Sequence, residues 1–147
     1  MASFYNWRVT PYTWHTMNGL YIIDNDFLVQ LDDKVNLYSF KFKKGLMTDG
    51  GSIPNLFKWF AKGWSDDYKY NATFILHDWC YGSGKVSKEL ADDMLRSSLR
   101  DCGMDRLHAS TICWAVKNFA SSHYGRINDE LNIAEYGKLL TIYPLHS

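Results

Sequence analysis

Two kinds of hydrophobic periodicity divide this chain, and they limit the folds open to it. Residues 20–31, LYIIDNDFLVQL, and 35–42, VNLYSFKF, are rich in β-branched and aromatic residues. Asp32-Asp33-Lys34 lies between them as a turn, so the two runs predict an antiparallel hairpin or meander. From about Asp67 the spacing becomes helical. One helix is predicted over residues 68–81, stopping near Gly82 and Gly84. Ser87 is placed to cap the next helix, with Glu89 in its first turn and Gly103 after its end. There Leu90, Ala91, Met94, Leu95, Leu99 and Cys102 gather on one face at about 100° per residue. Asp105 is expected to cap a third helix running to about Tyr124, with Gly125 as its stop. Ala109, Ile112, Ala115, Val116, Phe119 and Ala120 share its apolar stripe. Strands first and helices afterwards predict an α+β fold: a small N-terminal antiparallel β-sheet packed with about three C-terminal helices.

The 147 residues are expected to form a single domain. Residues 1–19 read as an extended arm, 20–44 as strands, 45–64 as a loop and short helix, 68–125 as a helical core, and 126–147 as a tail. Such a length buries roughly 68–70% of the unfolded surface, so no covalent staples are needed. Lys+Arg 16 and Asp+Glu 16 cancel, which removes the basic surface that nucleic acid requires. Three cysteines, an odd number without CxxC spacing, argue against a disulfide framework and for a reducing compartment. No run approaches a membrane span, so no transmembrane segment is expected. The N-terminus lacks the charged and apolar regions of a signal peptide. Six Trp, ten Tyr and eight Phe point to aromatic-rich packing or to a surface that binds a protein partner.

ILHDWCY, residues 75–81, puts an ionisable pair inside an apolar helix. Phe74, His77 and Tyr81 share one face, and Asp78 points about 100° away. His77 is therefore a candidate base, since its ordinary pKa lies near neutrality. Asp78 is a candidate ligand for Ca²⁺ or another divalent cation, which prefers oxygen. A base histidine works better with a carboxylate that fixes its tautomer. Asp92 on the next helix lies at the edge of the apolar face and is expected to point back towards His77. Asp93 is expected to be solvated. The alternative is a buried His-Asp brace that ties two helices by satisfied hydrogen bonds.

TDGGSIP, residues 48–54, is the second candidate. Gly50 and Gly51 let a backbone turn tightly and approach a ligand. With Asp49 they could complete an oxygen shell for a cation held by Asp78. Alternatively, Thr48 and Asp49 only stabilise an Asx-type turn. The loop lacks the lysine of a phosphate-binding P-loop. His108 and His123 lie too far apart on one helix to share a metal, and are expected at the core or its rim. The cysteines read as small buried hydrophobes.

Two family resemblances rest on these residues. KGLMTDGGSIPNLFKWF, then ILHDWCYGSGKVSKELADDMLRSSLRDCGM, then a helix with AVKNF, resembles an uncharacterised family widespread in bacteriophages and prophages. Its pattern is T-D-x-x-S-I-P, here Thr48, Asp49 and Ser52 onwards, then H-D-x-x-Y and an A-D pair, over residues 42–125. The resemblance implies a phage protein, made in the bacterial host cytoplasm and a candidate component of the virion or tail. H-D-x-C-Y followed by A-D is also similar to the active-site helices of phospholipases A2. That resemblance implies His77 as the base that activates water, Asp78 as a Ca²⁺ ligand, Asp92 as the orienting carboxylate and Tyr81 as the motif tyrosine. The chain departs from it in having few cysteines and only TDGGS where a longer glycine-rich calcium loop would stand. Together they lead to the expectation of a metal-assisted hydrolase acting on an ester or amide of the host envelope. The competing expectation is a non-enzymatic virion or accessory protein that binds a phage or host protein.

Overall fold

A computed structural model describes residues 2–48, 68–119 and 133–144. It is an α+β fold: among the described residues six strands come before three helices and a seventh follows them. These seven strands form two antiparallel sheets. β1 (Tyr5–Val9), β4 (Phe27–Asp32), β5 (Asn36–Phe42) and β7 (Gly137–Pro144) make one sheet in the order β1-β4-β5-β7. β2 (Trp14–Met17), β3 (Leu20–Ile23) and β6 (Met47–Thr48) make the other, in the order β2-β3-β6.

The expected hairpin is β4–β5, in a register that runs from Phe27 opposite Phe42 to Asp32 opposite Leu37. Its turn is held by two aspartates. Asp32 Oδ1 accepts from the Lys34 amide at 3.0 Å, and Asp33 Oδ1 accepts from Val35 and Asn36 at 2.9 and 2.7 Å. Phe27, Val29 and Leu31 of β4 and Tyr38, Phe40 and Phe42 of β5 are buried, the alternation of a half-covered sheet.

Three sequence expectations need correction. Residues 20–31 are not one strand: the chain breaks at Asp24–Asp26, and its halves enter different sheets. Residues 1–19, read as an extended arm, are part of the sheets: they supply β1 and β2. Asn18 and Gly19, both at positive φ (55° and 78°), join β2 to β3 with Met17 opposite Leu20. That is the two-residue hairpin turn Asn-Gly favours, since both central residues must be left-handed. Residues 126–147 are not all tail either. A 3₁₀ turn, Ile133–Tyr136, leads into β7, which pairs along the whole of β5.

α1 (Tyr68–Ser83), α2 (Lys88–Asp101) and α3 (Arg106–Phe119) come after β6 in the chain. α1 continues past the expected end at 81, to Ser83. From Tyr70 to Tyr81 it is buried on every side, as a central helix must be. Trp79 meets the sheet edge-on, 6.0 Å from Phe40 and 5.8 Å from Phe42 between ring centroids. The predicted apolar faces of α2 and α3 are buried at Ala91, Met94, Leu95 and Leu99 and at Ala109, Ile112, Ala115 and Val116. Helix α3 is described as far as Phe119, so its predicted end near Tyr124 lies outside the described residues, as does His123.

Ser87 caps α2 by accepting the Leu90 amide at 3.2 Å. Ser87→Ala is expected to cost about 1 kcal/mol, read as a shift of the urea midpoint at unchanged slope. The N-terminal residues lie along the same helix. Backbone amides of Ala2, Phe4 and Trp7 donate to Asp93 Oδ2, Ser97 Oγ and Asp101 Oδ2 at 3.0, 3.0 and 2.8 Å. These acceptors are four residues apart and so line one helix face. Asp93 is therefore not solvated as expected: it is buried and also lies 3.7 Å from Lys117 Nζ.

Candidate functional site

Three helices converge on Asp92. Asp92, in the second turn of α2, is fully buried. His77 Nε2 lies 2.9 Å from its Oδ1, and the Tyr81 hydroxyl donates to the same oxygen at 2.6 Å. His77 and Tyr81 are four residues apart on α1, so one face of that helix delivers both. Their rings lie 4.2 Å apart between centroids. Oδ2 accepts from Lys88 Nζ at 3.1 Å, and Lys88 also reaches the Lys117 carbonyl of α3 at 3.4 Å. The Cys113 thiol of α3 approaches the Asp92 backbone carbonyl at 3.5 Å.

The electrostatics arise from these contacts. Burial alone would raise the Asp92 carboxyl. Hydrogen bonds from His77 and Tyr81, the charge on His77 and the Lys88 ammonium outweigh it and hold the carboxyl below its ordinary value. Burial, then the hydrogen bond to Asp92 and its charge, pushes the Tyr81 phenol far up, so Tyr81 stays a neutral donor. An ionised carboxylate only accepts, so the proton shared with His77 sits on Nε2. In the neutral ring the lone pair is then on Nδ1. His77 is 1% exposed, and Nδ1 is buried without a hydrogen-bond partner among the described residues. Leaving such a group unsatisfied costs about 1–3 kcal/mol.

His77, Asp92 and Tyr81 are thus brought together as the spacing and the phospholipase resemblance anticipated. Asp78 follows His77 on α1 and is buried. Thr48 is fully buried at the end of β6, opposite Tyr21. Asp49, Gly50, Gly51 and Ser52, the expected loop ligands, lie outside the described residues. Among the described residues no group of three His, Cys, Asp or Glu side chains could hold a metal ion. The described donor set for a cation is the single carboxylate of Asp78, which by itself is too few for the 6–8 oxygens about Ca²⁺.

Lys88 was missed in the sequence. Its signal was the i, i+4 spacing to Asp92 just after the helix cap. His108 is at the rim, paired with Asp105 through Nδ1. Cys80 and Cys113 are buried, and Cys102 is half-buried. Burial, then the neighbouring Asp78, pushes the Cys80 thiol far up, which leaves it a poor nucleophile beside His77. No helix among the described residues is long and apolar enough to cross a membrane.

The chain belongs to a family described as a protein of unknown function, DUF1353, whose model matches residues 22–116. That span runs from β3 into the third helix and takes in His77, Tyr81, Lys88 and Asp92. Neither a curated protein nor a solved structure matches the chain.

Proposed function

We propose that this chain is a small phage-encoded hydrolase in which His77 is the general base. One observation carries the reading: a buried histidine with its Nε2 on an ionised carboxylate and its Nδ1 unpartnered among the described residues. That is the arrangement of a base whose tautomer is fixed by the group behind it. Nδ1 takes the proton of a water molecule as its oxygen attacks an ester or amide carbonyl. Asp92 stabilises the imidazolium that forms, and Tyr81 and Lys88 keep Asp92 ionised and in place. The imidazolium then returns the proton to the leaving oxygen or nitrogen. A divalent cation, Ca²⁺ by the phospholipase A2 resemblance, would be held by Asp78 with Asp49 and the Gly50–Gly51 carbonyls. Its contribution would be to polarise the carbonyl. The substrate class is a lipid, peptide or cell-wall bond of the host envelope. The order of T-D-x-x-S-I-P, H-D-x-x-Y and A-D supports a phage origin, with synthesis in the host cytoplasm and a place in or near the virion.

A second reading is favoured by the 1% exposure of His77 and the full burial of Asp92. In it the pair is a brace between α1 and α2, in a non-enzymatic virion, tail or accessory protein that binds a protein partner.

His77→Asn and Asp78→Asn separate the two. Release of fatty acid from phospholipid vesicles and of fragments from peptidoglycan is measured with EDTA and with Ca²⁺, alongside thermal melts. The hydrolase reading expects His77→Asn to abolish turnover while the melt stays cooperative. It also expects Ca²⁺ to raise the wild-type melt and not that of Asp78→Asn. A ligand at a hundred times its Kd stabilises by about 2.7 kcal/mol. A fully active His77→Asn variant overturns the hydrolase. Absence of turnover on both substrates, with a lowered melt for His77→Asn, supports the brace.

A further inference from the structure

The outer face of the four-stranded sheet serves neither the core nor the His77 centre. Strand alternation and register set its rows. Phe27, Val29, Phe40 and Phe42 are buried against the core, so Leu28, Gln30, Ser39 and Lys41 point the other way. Lys41 stands opposite Leu28 on one side and opposite Lys138 of β7 on the other. In the next row Arg8 of β1 stands opposite Gln30, and Gln30 opposite Ser39. Arg8, Lys41 and Lys138 are all exposed.

Like charges directly across a strand pair destabilise a sheet, and Lys41 and Lys138 are such a pair. Neither they nor Arg8 form an ion pair among the described residues. Acids lie closer to Lys43 and Lys44, past the end of β5. Asp26 Oδ1 accepts the Lys44 amide at 2.8 Å, and Glu135 is the neighbour of Tyr136, whose carbonyl accepts the Lys43 amide. Asp32 is four residues along β4 from Leu28, about 13 Å at roughly 3.3 Å per residue. That exceeds the screening length of about 8 Å at physiological salt. The Asp32 oxygens are also taken, by the Asn6 side chain and the Lys34 amide.

Two ammonium groups carried on Cβ atoms about 5 Å apart can close on one phosphate from both sides. The rest of the face selects the kind of phosphate. A DNA duplex is read by an element that enters a groove, and a broad sheet face does not. Single strands stack on open rings, but the described rings of β4 and β5 are buried. Tyr5, at the far corner, is already capped by the Lys34 ammonium at 4.5 Å. Protein interfaces are depleted in lysine. Lysine beside leucine suits a headgroup layer, where the stem lies on apolar surface and the ammonium stays in water. Leu28 is half-buried directly beside Lys41, and Leu140, two residues on from Lys138, is 38% exposed.

We infer that this sheet face docks the protein on an anionic phospholipid surface, with Lys41 and Lys138 on the phosphate groups and Arg8 at the flank. The inference goes beyond the hydrolase reading and does not depend on it, because docking is read as partition and not as turnover.

The full chain is mixed with vesicles of phosphatidylcholine alone and with vesicles of phosphatidylcholine and phosphatidylglycerol at two to one. The bound fraction is read by sedimentation. Binding is expected to the mixed vesicles only, and should fall as added salt shortens the screening length. Lys41→Gln and Lys138→Gln should each weaken the partition about fivefold. Neither should lower the melt, since both side chains are exposed and each change removes a like-charge contact. Lys85→Gln, at an exposed position between α1 and α2, should bind as wild type does. Equal partition to both kinds of vesicle, or an equal loss from Lys85→Gln, overturns the docking face. So does binding of a duplex oligonucleotide that Lys41→Gln weakens while the mixed vesicles stay unbound; the partner would then be nucleic acid.

Discussion

Asp92→Ala should lower the unfolding free energy by about 3–5 kcal/mol, the cost of removing one partner from a buried ion pair. The expectation rests on what is left behind. His77 Nε2, the Tyr81 hydroxyl and the Lys88 ammonium all donate to this one carboxylate. His77 and Tyr81 are buried, so the Nε2 and hydroxyl donors are shielded from bulk solvent. Asp92→Asn keeps the volume and one acceptor oxygen, so it should cost less than alanine. The pH dependence has a fixed sign. The folded carboxyl lies below its ordinary value of 3.8, so the unfolded chain takes up the proton first. The stabilisation is present in full above about pH 4 and is lost as the pH falls through the folded pKa. In urea melts the gap between wild type and Asp92→Asn should therefore narrow on acidification. A gap that widened would mean that Asp92 is protonated in the native state. It could not then fix the proton on His77, and the general-base reading would go with it.

Gly137→Ala is the second large effect. A Cβ there would stand 2.7 Å from both Cδ1 and Cε2 of Trp79, and closer still to Nε1. Trp79 is 1% exposed and cannot retreat, because Phe40 and Phe42 pack edge-on against it. Gly137 is equally fixed, paired with Phe42 at the start of β7. The buried indole N–H has no acceptor among the described residues. The contact is thus bare packing of a ring on backbone, for which only glycine is small enough. Overpacking of this kind costs about 3 kcal/mol, or a fall of about 6–12 °C in Tm for a chain of this size. An unchanged melt would mean that β7 does not seat on Trp79, and the four-stranded sheet would then lose its last strand.

The helices were legible because their signals are local. Ser87 caps α2, Gly103 ends it, and apolar residues recur every three or four positions along it. The β4–β5 hairpin was legible for the same reason: two apolar runs flank Asp32-Asp33-Lys34, whose aspartates hold the turn within a few residues. Asn18-Gly19 was an equally local signal that went unread among the scattered aromatics of residues 1–19. β7 carried no such signal, since its pairing with β5 spans about a hundred residues and depends on Gly137 clearing Trp79.

The candidate site divides along the same line. Helical spacing alone places His77 and Tyr81 on one face of α1 and Lys88 four residues before Asp92 on α2. Spacing also favoured Asp92 over Asp93, because Asp92 falls at the edge of the apolar face of α2. What spacing could not show was that Asp93 is buried as well. Asp92 turns inward because buried donors on α1 need an acceptor, and Asp93 turns to the N-terminal backbone because Ala2 presents an amide there. A dihedral preference or a cap is decided within one turn of chain, so the amino-acid order determines it. That Asp93 is drawn in too is decided by an amide 91 residues away, which only folding brings within 3.0 Å.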